Sequence, residues 1–180
     1  MKNIVIWGLG NHALVNIIPA VLQQKKLNLY GICTRNKALL QKNQKLHNCL
    51  GWNDDLEMLK DKNIDIVYLS TPIGLHANQG VKVLNAGKHF WCEKPMSSNY
   101  LDTKKLINLS RERNLSIAEG FMYFHHPQFL RLKELLKMKI LGEIMSANIR
   151  FGIPFLDKPG FRLNPELSGG AFWDVGCYPI

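Results

Sequence analysis

The chain has 180 residues, 46% of them hydrophobic and 21% charged, which excludes a disordered protein and allows one domain of roughly 100–150 residues plus a remainder. The formal net charge of +9 favours anionic partners, but the Lys and Arg residues are scattered and form no dense basic block, so a phosphorylated cofactor is expected and nucleic acid is not. No stretch approaches the roughly 18 apolar residues of a membrane span, and four cysteines without a Cys-x-x-Cys pair read as reduced thiols of a cytoplasmic protein.

In chain order, Asn3 to Trp7 is a β-branched run that reads as a buried strand. Gly8-Leu9-Gly10-Asn11-His12-Ala13 follows directly and matches the G-x-G-x-x-A dinucleotide fingerprint. Gly8 permits the tight turn, Gly10 lets backbone approach a pyrophosphate, and Ala13 lets the next helix pack close to the strand. That helix is expected to run to about Lys25, with Pro19 kinking it. Leu27 to Cys33 is a second strand. NAD-binding proteins usually follow this strand with Asp or Glu on the ribose hydroxyls; here Thr34-Arg35-Asn36-Lys37 stands instead. A hydroxyl and a guanidinium suit a 2′-phosphate, so NADP is favoured over NAD, the alternative being that Arg35 is a solvated helix-start residue.

A helix is expected over Asn36–Asn48, a very short strand at Leu50–Trp52, and a helix over Asp54–Lys60 capped by Asn53. Ile64–Leu69 is a strand ending in the loop Ser70-Thr71-Pro72-Ile73-Gly74. A helix over Leu75–Ala86 stops at Gly87, and His89–Cys92 is a strand that ends in Glu93-Lys94-Pro95. Tyr100–Arg113 reads as a helix and Ser116–Ala118 as a strand. Strands and helices alternating at crossover spacing argue an α/β doubly wound parallel sheet over residues 1–120. Such a sheet brings the glycine loop, Ser70–Gly74 and Glu93–Pro95 to one edge.

Beyond residue 120 an incomplete α+β second domain is expected over 121–180. Pro127–Met138 is an amphipathic helix whose Phe129, Leu132, Leu135 and Leu136 read as core. Ile144–Phe151 alternates as a strand, 152–167 reads as irregular, and a helix opens on Gly169-Gly170, placing Asp174 and Tyr178 on one face. His125 and His126 are adjacent and point apart, a poor metal clamp, so no metal is expected.

Gly8-x-Gly10-x-x-Ala13, Thr71-Pro72 with His76, Glu93-Lys94-Pro95 and Gly169-Gly170-Ala171 followed by Asp174-x-Gly176-x-Tyr178, in this order, resemble the glucose–fructose oxidoreductase / inositol dehydrogenase (Gfo/Idh/MocA) family. The nearest subgroup is that of the dimeric dihydrodiol dehydrogenases, with Tyr rather than His at the last position. The resemblance implies an NAD(P)-dependent oxidoreductase acting on the CH–OH or keto group of a sugar, cyclitol or diol. It implies that Lys94 contacts substrate and nicotinamide ribose, that Tyr178 is the acid/base, and that Asp174 supports it. Gly8, Gly10, Asn11, His12, Thr34, Arg35, Ser70, Thr71, Pro72, His76, Glu93 and Lys94 form the expected cofactor set. Tyrosine ordinarily ionises near pH 10, and the Lys94 ammonium is expected to lower that value.

The chain departs from the pattern at Ile73, where the family commonly has Asn, and at Phe124, where the subgroup commonly has Arg. The family's second domain is a large open sheet, of which this sequence supplies about one strand. A truncated product is therefore expected, one that binds NADP weakly, turns over little and lacks the family's homodimer. The alternative is a non-catalytic NAD(P)-sensing protein of the same fold, although retention of Lys94, Asp174 and Tyr178 together argues for an enzyme.

Overall fold

A computed structural model describes residues 1–154, 157 and 159–178. Six strands form one parallel sheet: β1 Lys2–Trp7, β2 Leu27–Cys33, β3 Leu50–Trp52, β4 Ile66–Leu69, β5 His89–Cys92 and β6 Ile117–Glu119. Their order is β3-β2-β1-β4-β5-β6. The expected doubly wound sheet is thus present, and its order reverses between β1 and β4, the switch point where such sheets bind ligands.

Each apolar strand is buried on both faces because successive side chains point to opposite sides. Ile4 and Ile6 pack with Ala13, Ile18, Ile32 and Leu40 under the helices α1 (Ile18–Leu22) and α2 (Lys37–His47). Val5 and Trp7 pack on the opposite face with Met58, Val67, Leu84, Phe90 and Leu106. That face is covered by α3 (Asp55–Lys60), α4 (Ile73–Asn85) and α5 (Tyr100–Glu112).

Pro19 falls where a regular helix would meet its ring and lack its N–H. The chain accommodates it with a π-helical turn over Ala13–Ile17, in which Ile18 N–H donates to Ala13 O, before α1 resumes. The helix then ends at Leu22, short of Lys25. Asp54 caps α3, not Asn53: its carboxylate accepts from the amides of Leu56 and Glu57. Pro72 rather than Gly74 precedes α4, which starts at Ile73.

The larger differences lie beyond residue 120. The helix α6 (Pro127–Lys137) forms, capped by His126, but none of its residues is buried; Leu132 and Leu136 are 45% and 42% exposed. Of the stripe read as core, Phe129 packs against the Tyr123 and Phe124 rings and Leu135 is half-buried, while Leu132 and Leu136 stay exposed. Ile144–Phe151 takes no strand conformation among the described residues, because a strand without a neighbour leaves its N–H and C=O groups unpaired. The stretch 152–167 is irregular as far as it is described, positions 155, 156 and 158 lying outside the described residues. Residues 159–178 fold back onto the sheet edge. Leu167 backbone rests against Gly74, where an added Cβ would sit 3.0 Å from the Leu167 carbonyl carbon. The helix α7 spans only Ala171–Val175, so Tyr178 lies beyond it in a turn and does not share a helix face with Asp174.

Candidate functional site

The ladder register aligns Trp52, Cys33, Trp7, Leu69, Cys92 and Glu119 in one row across the sheet. The residues that follow these strand ends therefore emerge side by side. Backbone bonds stitch them together: Gly8 N–H donates to Cys33 O at 2.9 Å, Ser70 N–H to Trp7 O at 2.8 Å and Glu93 N–H to Leu69 O at 2.9 Å. The glycine loop, Ser70–Pro72 and Glu93–Lys94 thus border one cleft of about 1060 Å³, together with Arg162, Asp174 and Tyr178. All three loops expected to converge do so.

Gly8 has φ +104°, and a Cβ there would lie 2.6 Å from Ser70 O, so only glycine fits against the neighbouring loop. A Cβ on Gly10 would meet no protein atom within 4 Å, and Gly10 borders the cleft. These two positions are what a dinucleotide cradle requires, a tight turn and a bare backbone facing the phosphates. Asn11 is exposed and borders the same space. At the far end, Thr34 N–H donates to Trp52 O and Asn36 caps α2, which leaves the exposed Arg35 side chain on the cleft wall.

Glu93 and His12, the latter from the glycine loop itself, meet at the cleft wall. Glu93 accepts from the Tyr68 hydroxyl at 2.5 Å and lies 3.0 Å from His12 Nε2. The His12 contact is close but poorly directed, since that buried nitrogen has no hydrogen bond of good geometry. Asn16 meets His12 Nδ1 at 3.0 Å. Glu93 holds His12 above its ordinary value of 6.5, against the opposing effect of burial. Burial pushes the Glu93 carboxyl up, but the His12 and Tyr68 contacts outweigh it and the net direction is down.

His76 is fully buried, and its two ring nitrogens face Thr71 O at 2.8 Å and Pro95 O at 2.9 Å. It ties the Ser70–Pro72 loop to the Lys94–Pro95 loop and turns no polar atom to the cleft. Burial lowers its pKa. Thr71 likewise spends its hydroxyl on Gln79 at 2.6 Å.

Lys94 is the centre of the second cluster. Its ammonium donates to the Asp174 backbone carbonyl, lies 3.4 Å from Asp174 Oδ1, and sits 4.7 Å from the centre of the Tyr178 ring. Arg162 Nε donates to Asp174 Oδ2 at 2.6 Å. The Tyr178 ring packs against Phe151 and Tyr123. Burial raises the Tyr178 phenol and outweighs the opposing pull of Lys94, so the net shift is upward and not the lowering expected from the ammonium alone.

No local sequence pattern marks Tyr68 or Arg162 as a site residue. Tyr68 sits one residue before the end of β4, on a strand whose apolar neighbours mask it. Arg162 lies in a short 3₁₀ turn, Gly160–Leu163, where no periodicity marks a functional position. Phe124 is 45% exposed and does not border the cleft. Among the described residues no cluster of three or more His, Cys, Asp and Glu side chains forms a metal site, and no helix is long and apolar enough to cross a membrane.

Residues 2–121 match the family model described as "Oxidoreductase family, NAD-binding Rossmann fold", and residues 129–180 match the "GFO/IDH/MocA C-terminal domain". A dTDP-3,4-didehydro-2,6-dideoxy-alpha-D-glucose 3-reductase from Saccharopolyspora spinosa is 31% identical over 97% of this chain and 52% of its own length. A trans-1,2-dihydrobenzene-1,2-diol dehydrogenase from Xenopus laevis is 32% identical over 69% of this chain and 37% of its own length. A crystal structure of a 3-ketoreductase from Actinomadura kijaniata in complex with NADP and TDP-benzene superposes with a TM-score of 0.93 at 28% identity, covering 99% of this chain and 55% of that one. The chain thus spans about half the length of these two reductases.

Proposed function

The chain belongs to the GFO/IDH/MocA oxidoreductase family, and from that premise we propose that it binds NADP and serves hydride transfer between the nicotinamide and a secondary alcohol or ketone of a sugar, cyclitol or diol. The observation that carries this reading is the convergence of a bare glycine loop, Lys94, Asp174 and Tyr178 on one cleft at the switch point of the sheet. The relatives named as reductases of a dTDP-linked keto sugar support a sugar nucleotide as the first substrate to test. Reduced, unpaired cysteines support a cytoplasmic setting.

Gly8 and Gly10 present backbone to the diphosphate, with Asn11 and His12 beside it. Thr34 and Arg35 would face the adenosine ribose: no carboxylate directly follows β2, and the Asp55 carboxylate on the same wall is paired with Lys82 Nζ at 2.7 Å, which favours a 2′-phosphate. The bound nicotinamide would supply or accept the hydride. Tyr178 rests protonated, since burial holds its phenol up, and so acts as the acid that delivers a proton to a carbonyl oxygen. Lys94 beside it stabilises the phenolate left behind.

Fluorescence titration of the 180-residue chain with NADPH and NADH tests the cofactor assignment. NADPH binds more tightly than NADH, and Arg35→Ala weakens NADPH by roughly 10–100-fold while changing NADH little, as expected for losing a charge-assisted contact. Lys94→Ala abolishes turnover of the keto sugar while weakening NADPH far less than Arg35→Ala does. Absence of binding by either nucleotide refutes the proposal.

A further inference from the structure

Asp174 is 8% exposed and its carboxylate stands between two cations. The short contact belongs to Arg162, at 2.6 Å on Oδ2; Lys94 is 3.4 Å from Oδ1 and directs its closer bond to the Asp174 backbone carbonyl. Arg162 is itself steadied by Phe161, over whose ring its guanidinium lies at 5.3 Å. The arrangement is uneven in a consequential way. A nearly buried carboxylate needs a strong partner, and with Lys94 alone it would close on the ammonium as a tight ion pair. That would cancel the charge of Lys94 and draw it from the Tyr178 ring. With Arg162 present, two cations share the Asp174 carboxylate and the Lys94 ammonium stays beside the phenol, whose other titratable neighbours are Glu93 and Cys177.

We infer that Arg162 is a positioning residue for Lys94: by holding the Asp174 carboxylate it leaves the Lys94 ammonium to the Tyr178 hydroxyl. The inference rests on the assignment of Tyr178 as the acid. Arg162 itself neither gives nor takes a proton. Its role is to keep a positive centre where negative charge appears on the tyrosine oxygen, which is useful only if that centre is in place before the reaction.

The test places 3,5-difluorotyrosine, whose phenol ionises near neutral pH, at position 178 and follows its ionisation by fluorine NMR in the full chain. Arg162→Gln raises the midpoint by about one pH unit, because Lys94 then closes on Asp174 and leaves the phenol. Arg162→Lys restores part of the shift, lacking the planar fork. Asp174→Asn moves the midpoint the opposite way, and carries the test if Arg162→Gln fails to fold. The decisive arm is a cycle in a Lys94→Met background, where Arg162→Gln has little effect if Arg162 acts through Lys94. An equal shift with and without Lys94, or no downward shift in Asp174→Asn, overturns the inference. Failure of the unmodified chain to bind NADPH would count against the nucleotide reading and leave these shifts unchanged.

Discussion

Gly8→Ala and Gly10→Ala make a contrasting pair, because the two glycines of the fingerprint are required for different reasons. At Gly8 the backbone is at φ +104°, and the new Cβ would stand 2.6 Å from Ser70 O, 2.7 Å from Ser70 C and 2.9 Å from Thr71 Cγ2. Two of these are backbone atoms of the adjacent loop, held by the Ser70 N–H bond to Trp7 O. The left-handed conformation costs about 1–3 kcal/mol for a non-glycine residue, and displacing the loop adds to it, for a total of about 2–4 kcal/mol. For a chain of this size that is a fall in Tm of roughly 6–12 °C. At Gly10 neither cost arises: the Cβ meets nothing within 4 Å. Gly10→Ala should leave stability unchanged or raise it by about 0.4–1 kcal/mol through the unfolded chain, while NADPH affinity collapses because the methyl occupies the phosphate side of the cleft. Thermal melts with and without NADPH measure both. A Gly8→Ala variant as stable as the parent, or a Gly10→Ala variant that binds NADPH normally, would refute the reasoning.

The His12–Glu93 pair predicts a stability window. The raised His12 contributes fully below its ordinary 6.5 and loses its contribution as pH rises through its folded value; the lowered Glu93 contributes fully above 4.5 and loses it as pH falls through its folded value. The stability difference between the parent and His12→Gln should therefore peak between those two values in urea melts and shrink on either side. Burial pushes the Cys33 thiol up to about 12 and the Cys92 thiol well above its usual value, so neither should react with Ellman's reagent at neutral pH until the chain is unfolded. Phe90→Ala, at a fully buried ring in contact distance of Gly80 and Leu106 across α4 and α5, should cost about 3–5 kcal/mol in chemical denaturation.

Strands in the first 120 residues were legible because short apolar and aromatic runs bounded by loop residues leave little choice of element. The runs Leu27–Cys33 and His89–Cys92 are found as strands at those residues. Choices between neighbouring polar groups were not. Either Asn53 or Asp54 could cap α3, and only the geometry of the preceding loop selects Asp54. Alternation along Ile144–Phe151 shows which side chains share a face but cannot supply the neighbour that a ladder needs. The motif residues Lys94, Asp174 and Tyr178 meet as expected, yet for a different reason: Gly176 lies past the end of α7, and Tyr178 reaches Lys94 from a turn. The sign of the Tyr178 shift depends on burial by Tyr123 and Phe151, which no local pattern records.

The central position of β1 has a consequence for synthesis. The first strand made is one that needs partners on both sides, and its second partner, β4, begins at Ile66, long after β2 has ended at Cys33. At ordinary elongation rates of about 5–20 residues per second, roughly 2–7 seconds separate the two. Through that interval the Ile4–Trp7 edge that β4 will cover is open on the nascent chain, an unpaired strand edge that can template pairing with another chain. The cleft bordered by the ends of β1 and β4 comes into existence when this edge closes.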